Sequence, residues 1–195
     1  MSASRYLSTG RAFEGAPLPD SISASPSELQ LLSNGNYHVM VTNTGGGYSR
    51  WKTLALTRWR EDTTCDNWGF FCYIRDTSSG HYWSTTYQPT LRPPDGYTVI
   101  VEAGRVSFRR RDHDIQVSTD IAVSPSDDVE LRRVRITNLS DVPRTLAVTS
   151  YAEIVLGDPA ADTAHPAFEK LFVETEFLRD DQAILGKRVP APQRS

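Results

Sequence analysis

From Ile115 to Val123 the chain alternates without a break, with Ile115, Val117, Thr119, Ile121 and Val123 at every second position. Successive side chains of a strand point to opposite faces, so this spacing puts all of them on one buried face. The same period returns at Leu146, Val148, Ser150, Ala152 and Ile154. Further strands are predicted over 37–42, after the turn residues Ser33-Asn34-Gly35-Asn36, and over 70–75 and 81–86 as a hairpin about Asp76-Thr77-Ser78-Ser79-Gly80. Another pair, 97–102 and 106–110, is joined across Ala103-Gly104, and 129–137, 171–178 and 183–189 complete the set. No segment holds a 3.6-residue period over three turns. Short strands with turn signals about every 8–12 residues predict an all-β sandwich or barrel.

No fixed-period repeat and no interior linker divides the chain, so one domain is expected over 33–190. Residues 1–32 read as an N-terminal extension that packs on the domain or leads into it, and 191–195 as a linker or truncated end. The net charge of -3 gives no footprint for nucleic acid. The run Arg109-Arg110-Arg111 precedes Asp112 and Asp114 and reads as a solvated, self-compensated face. No apolar run approaches the roughly 20 residues needed to cross a bilayer, and no secretory leader pattern is present, so a cytoplasmic setting without membrane contact is expected. Cys65 and Cys72 lack the companions of a metal site and are expected to be unconnected thiols. Without a leader, Asn138-Leu139-Ser140 reads as a chance sequon.

The chemistry concentrates in Thr44-Gly45-Gly46-Gly47-Tyr48-Ser49-Arg50-Trp51-Lys52. A nucleotide phosphate loop would need a Gly-Lys-Ser/Thr end that opens a helix, and this stretch has neither. Two readings stay open. One is a glycine-rich β-turn. The other is a ligand loop, in which aromatic rings stack on sugar C–H surfaces while Ser, Arg and Lys bond hydroxyls or oxyanions. Downstream, Arg58 and Arg60 flank Trp59, with Asp62 and Asp66 close in sequence, and the simplest account is an ion-pair network that holds a loop. His165 lies in a Pro-bounded loop and is expected to act as a hydrogen-bonding fixture. No catalytic triad and no carboxylate pair for acid–base work can be placed.

The ordered motifs TNTGGGYSRWKTLALTRWREDTTCDNWGFFCYIRD, SSGHYWSTTYQPT, VELRRVRITNLS and TSYAEIVLGDPAADTAHPAFEKLFVETEF closely resemble the N-terminal β-sandwich domain of the glycoside hydrolase family 94 phosphorylases. This family, formerly classed with glycosyltransferases, includes the phosphorylase region of cyclic β-1,2-glucan synthases and, more distantly, cellobiose and chitobiose phosphorylases. The resemblance runs from about Ser33 to about Pro190. It implies a two-sheet antiparallel super-sandwich of galactose mutarotase-like type, followed in the family by a helical linker and an (α/α)6 barrel. That barrel carries the acid that protonates the glycosidic oxygen while inorganic phosphate attacks the anomeric carbon.

The resemblance therefore implies a non-catalytic domain of a glucan- or oligosaccharide-active enzyme. It needs no cofactor, and its partners would be the sugar, inorganic phosphate, the helical barrel and a second copy in a homodimer. It would sit in the cytoplasm or on the cytosolic part of a membrane-bound synthase. The substrate contacts it implies are Gly45, Gly46, Gly47, Tyr48, Ser49, Arg50, Trp51 and Lys52, with Arg58, Arg60 and Asp62 matched by motif. The alternatives are a free-standing carbohydrate-binding module and a dimerisation scaffold.

Overall fold

The computed structural model describes residues 28–60, 62 and 66–189. The expected N-terminal extension falls largely, and the expected C-terminal tail wholly, outside these residues, as does Cys65. Fourteen strands and two short helices follow one another along the described chain. Strands β1 (Leu29–Ser33), β2 (Tyr37–Thr42), β3 (Gly47–Trp51) and β4 (Leu54–Thr57) form a five-stranded sheet with β12 (Ile154–Gly157). Strands β7 (Gly96–Glu102), β8 (Arg105–Asp112), β9 (Ile115–Val123) and β10 (Glu130–Asn138) form a four-stranded meander. A three-stranded sheet takes β5 (Phe71–Asp76), β6 (Tyr82–Ser84) and β11 (Leu146–Tyr151), and β13 (Val173–Leu178) with β14 (Ala183–Arg188) closes as a hairpin. Every pairing is antiparallel.

The alternation of β9 decides how these sheets stack. Its residues Ile115, Val117 and Ile121 are all buried on one face. Ile121 joins Val106 and Phe108 of the same sheet against Leu32, Val39 and Val41 of the five-stranded sheet. Ile115 and Val117 instead meet Ile74 and Trp83 of the three-stranded sheet, with Val134, Ile136 and Leu146 packed around them. The five-stranded and three-stranded sheets therefore lie on the same side of the meander, and the architecture is an antiparallel β-sandwich of two layers. The ten buried residues of these two clusters meet along the inner face of the meander, to which β9 contributes Ile115, Val117 and Ile121; the opposite face of the meander is open to solvent.

Three local readings change. The alternating run 146–154 is not one strand: it breaks at Ala152-Glu153, β11 pairs with β5, and β12 crosses to pair with β4. The break is held by the Arg58 N–H, which donates to the Glu153 carbonyl at 2.8 Å. Arg110 does not sit on a solvated face. It points into the sandwich, 1% exposed, and its guanidinium donates to the Asp112 carboxylate at 2.7 and 2.8 Å and to the carbonyls of Thr86 and Arg92. Arg109 and Arg111, one position either side, stay outside, so the run is compensated but split between faces.

The segment expected as a loop around His165 contains helices α1 (Pro159–Ala164) and α2 (Pro166–Lys170). Asp158 caps α1, its carboxylate accepting from the Ala160 and Ala161 N–H groups, and Pro159 fits the first turn because its missing N–H would be unpaired there. His165 is the hinge between the two helices and makes no side-chain cap bond. No helix among the described residues is long and apolar enough to cross a membrane. Cys72 is half-buried and makes no disulfide among them, and burial pushes its thiol pKa up.

Candidate functional site

The glycine stretch is a turn that feeds a strand. Thr42 ends β2, the chain reverses through Asn43 to Gly46, and β3 begins at Gly47. Every glycine amide is engaged inside the protein. The Gly45 N–H donates to the Thr42 carbonyl at 3.0 Å, the Gly46 N–H to Thr42 Oγ1 at 2.9 Å and the Gly47 N–H to the Trp68 carbonyl at 2.8 Å. An anion cradle needs free amides, so this backbone does not form one.

The requirement for glycine also has an internal cause. A Cβ on Gly46 would lie 2.0 Å from Asp66 Oδ1, and one on Gly47 would lie 1.9 Å from the Met40 carbonyl oxygen. Gly45, at φ +97, is closed off by Thr86 in the same way. Asp66 itself is fixed by the Thr42 and Thr44 hydroxyls, which both donate to Oδ2 at 2.5 Å. The three glycines are thus a dry, close-packed joint between the β2–β3 turn and the segments at 66–69 and 86.

Beyond the joint, β3 divides the candidate residues between its two faces. Ser49 points inward, 3% exposed, and donates to Glu130 Oε2 at 2.5 Å. Trp51 follows on the same side at the sandwich end, where Nε1 donates to Asp128 and the Lys52 ammonium lies 4.4 Å from the indole centre. Tyr48 and Arg50 take the opposite face. The Arg50 guanidinium lies 4.3 Å from the Tyr48 ring centre, and Trp59 meets that ring edge-on at 5.7 Å. Two amphipathic rings and a cation therefore converge half-buried on the outer face of the five-stranded sheet.

Arg58 and Arg60 do not act together. Arg58 is buried and chelates Asp162 of α1 through Nε and Nη2, while Nη1 donates to Glu153 at 2.7 Å. The Asp162 hydrogen bonds outweigh burial and raise the Arg58 pKa. Burial of Glu153 acts upward, but hydrogen bonds from Tyr151 and Lys170 and the nearby cations bring its pKa below the usual carboxylate range. Arg58 is thus a structural tie between β4 and α1. Its partners are not Asp62 and Asp66, the acids near it in sequence.

Arg60 lies over Trp68 at 5.7 Å, and its Nε is buried without a partner among the described residues. Asp62 is exposed. The structure thus groups Tyr48 and Arg50 with Trp59, sets Ser49, Trp51 and Lys52 on the other side of β3, and withdraws Arg58. Trp59 is visible in the sequence as an aromatic between two bases, whereas Trp68, in Asp66-Asn67-Trp68-Gly69, carries no such signal. Glu130, Asp128, Glu153 and Asp162 gave no local signal at all.

A family model described as the glycosyl hydrolase 94 supersandwich domain matches residues 21–194. The chain is 39% identical over 161 residues to the cyclic β-(1,2)-glucan synthase NdvB of Rhizobium meliloti (strain 1021), covering 83% of this chain and 6% of that protein. It is 26% identical over 151 residues to the N,N'-diacetylchitobiose phosphorylase of Vibrio furnissii, covering 75% and 19% respectively. A 3-O-β-D-glucopyranosyl-β-D-glucuronide phosphorylase of Paenibacillus borealis is 30% identical over 124 residues, covering 62% and 15%. The chain spans less than a fifth of the length of these curated relatives.

Proposed function

The chain belongs to the glycosyl hydrolase 94 supersandwich family, and from that premise we propose that it is the structural and carbohydrate-contacting domain of a β-glucan phosphorylase or a cyclic β-1,2-glucan synthase. The supporting observation is the convergence of Tyr48, Arg50 and Trp59 on one face, directly after the glycine joint. Aromatic faces pack against sugar C–H surfaces and a guanidinium bonds hydroxyls or oxyanions, so this trio suits one pyranose ring. Gly45, Gly46 and Gly47 would hold β3 in place, with Tyr48 and Arg50 making the contact. Glycosyl transfer to phosphate would be carried out by polypeptide outside these residues. The same reading puts the domain in the cytoplasm, or on the cytosolic part of a membrane-bound synthase, and has it lend this face across a homodimer.

Titration of the 195-residue chain with β-1,2-gluco-oligosaccharides, followed by amide and indole NMR shifts, tests the contact. Shifts centred on Tyr48, Arg50 and Trp59 are expected, with no glucose 1-phosphate released when phosphate is added. Shifts confined to another face, or turnover by the isolated chain, would overturn the reading.

A further inference from the structure

The solvent face of the meander is rich in arginine. Arg105, Arg109 and Arg111 alternate outward on β8, and Arg133 and Arg135 on β10. Three of the five have a carboxylate: Arg105 pairs with Glu102, Arg111 with Asp114 and Arg133 with Asp120. Arg109 and Arg135 are exposed and have no ion-pair or hydrogen-bond partner among the described residues.

The ladder brings these two together. Arg109 is the register partner of Ser118 from one side of β9, and Arg135 is its partner from the other. Their Cα atoms are therefore two strand spacings apart, about 10 Å, with the Ser118 side chain between them. Thr98 on β7 extends the row beyond Arg109. The Ser118 and Thr98 hydroxyls likewise have no protein partner among the described residues. The face carries two positive charges in excess of its acids, within a chain whose net charge is -3.

We propose that Arg109 and Arg135 bind one compact tetrahedral oxyanion, inorganic phosphate or a phosphate monoester, above Ser118. Guanidinium forks match such oxygens in pairs, and two forks with a hydroxyl between them supply donors from three directions. The neighbouring arginines limit the size of the ligand. Arg105, Arg111 and Arg133 are already held by their own acids, so the row has room for a single anion rather than an extended acidic peptide. The site lies on the meander, in the layer opposite the sheet that carries Tyr48, so its test is independent of the sugar contact.

The experiment is a titration of the whole chain with inorganic phosphate at low ionic strength, where screening is weak, followed by calorimetry and 31P line width. Saturation in the millimolar range is expected. Arg109→Gln and Arg135→Gln should each weaken binding about tenfold, while the ion-paired control Arg105→Gln changes it less than about twofold. Both test residues are exposed, so an unchanged circular dichroism melt confirms that the variants fold. Phenyl phosphate separates the sources: binding equal to that of phosphate assigns the site to a phosphoryl group on a larger ligand, and binding of phosphate alone assigns it to the free ion. Non-saturable uptake, an equal loss in Arg105→Gln, or tighter binding of an oligoglutamate would overturn the proposal.

Discussion

Arg58 and Asp162 lie 104 residues apart in sequence, yet their side chains meet with Nη2 at 2.5 Å from Oδ1, both nearly excluded from water. A buried ion pair contributes little over an apolar pair, but removing Arg58 strands the Asp162 charge, and removing Asp162 leaves the buried Arg58 with Glu153 alone. Arg58→Met or Asp162→Asn should lower the unfolding free energy by about 3–5 kcal/mol in urea titrations. The double variant should lose less than the sum of the two, because the second change removes the stranded partner. Additive losses would show that the pair is not coupled.

Asp76 gives the fold an acid limit. The Arg144 guanidinium, helped by the Ser78 and Ser79 amides, holds its pKa down at about 2. A carboxyl depressed in the folded state adds stability above its unfolded pKa of 3.8 and loses it as pH falls through the folded value. Stability should therefore fall between about pH 4 and pH 2, and Asp76→Asn should flatten that part of the profile. Denaturant midpoints measured across the range decide it.

Gly47→Ala should be far more damaging than Gly80→Ala. Both positions have positive φ, so both variants carry backbone strain, but only at Gly47 would the new methyl meet a backbone carbonyl, at 1.9 Å. A loss of several kcal/mol, or failure to fold, is expected at Gly47 against about 1–2 kcal/mol at Gly80. Thermal melts of the two variants make the comparison.

Tyr48 and Ser49 are adjacent but face opposite ways, so their variants should separate function from stability. Tyr48→Ala should abolish the sugar-induced shifts at Trp59 and leave the inner core intact. Ser49→Ala should spare those shifts and destabilise the fold by about 1–3 kcal/mol, because Glu130 loses a buried donor. If both variants lose sugar contact equally, Tyr48 has no specific role.

Tyr37 should limit the fold at high pH. Burial, with the nearby Glu130 carboxylate, pushes its phenol up to about 12. A group raised above its unfolded value of 10.0 contributes stability below that value and loses it as pH rises toward the folded one. Tyr37→Phe should therefore shift alkaline unfolding, read by tyrosinate absorbance, to higher pH.

The strands that the sequence reveals are those whose alternation survives in one sheet. β9 is plain because five alternate positions share one inward face, and β7–β8 and β5–β6 because turn residues bracket them. β3 is hidden by the glycines ahead of it, and β4 is only four residues long. Helices of five and six residues are too short to display a 3.6-residue period. At the site, the shared face of Tyr48 and Arg50 follows from strand periodicity once β3 is recognised. The Arg58 tie could not be read locally, since its partners are 95 and 104 residues away.

The shared face of β9 also governs the order in which the protein can be completed. Strands β1 to β6 leave the ribosome before β9 does, so Leu32, Val39, Val41, Ile74 and Trp83 must wait for it with their apolar sides uncovered. The β8–β9–β10 meander, built from neighbouring strands, is the part that can form quickly once synthesised. Its arrival supplies the missing wall to both halves at once. Until then the nascent chain is a target for chaperones and for aggregation.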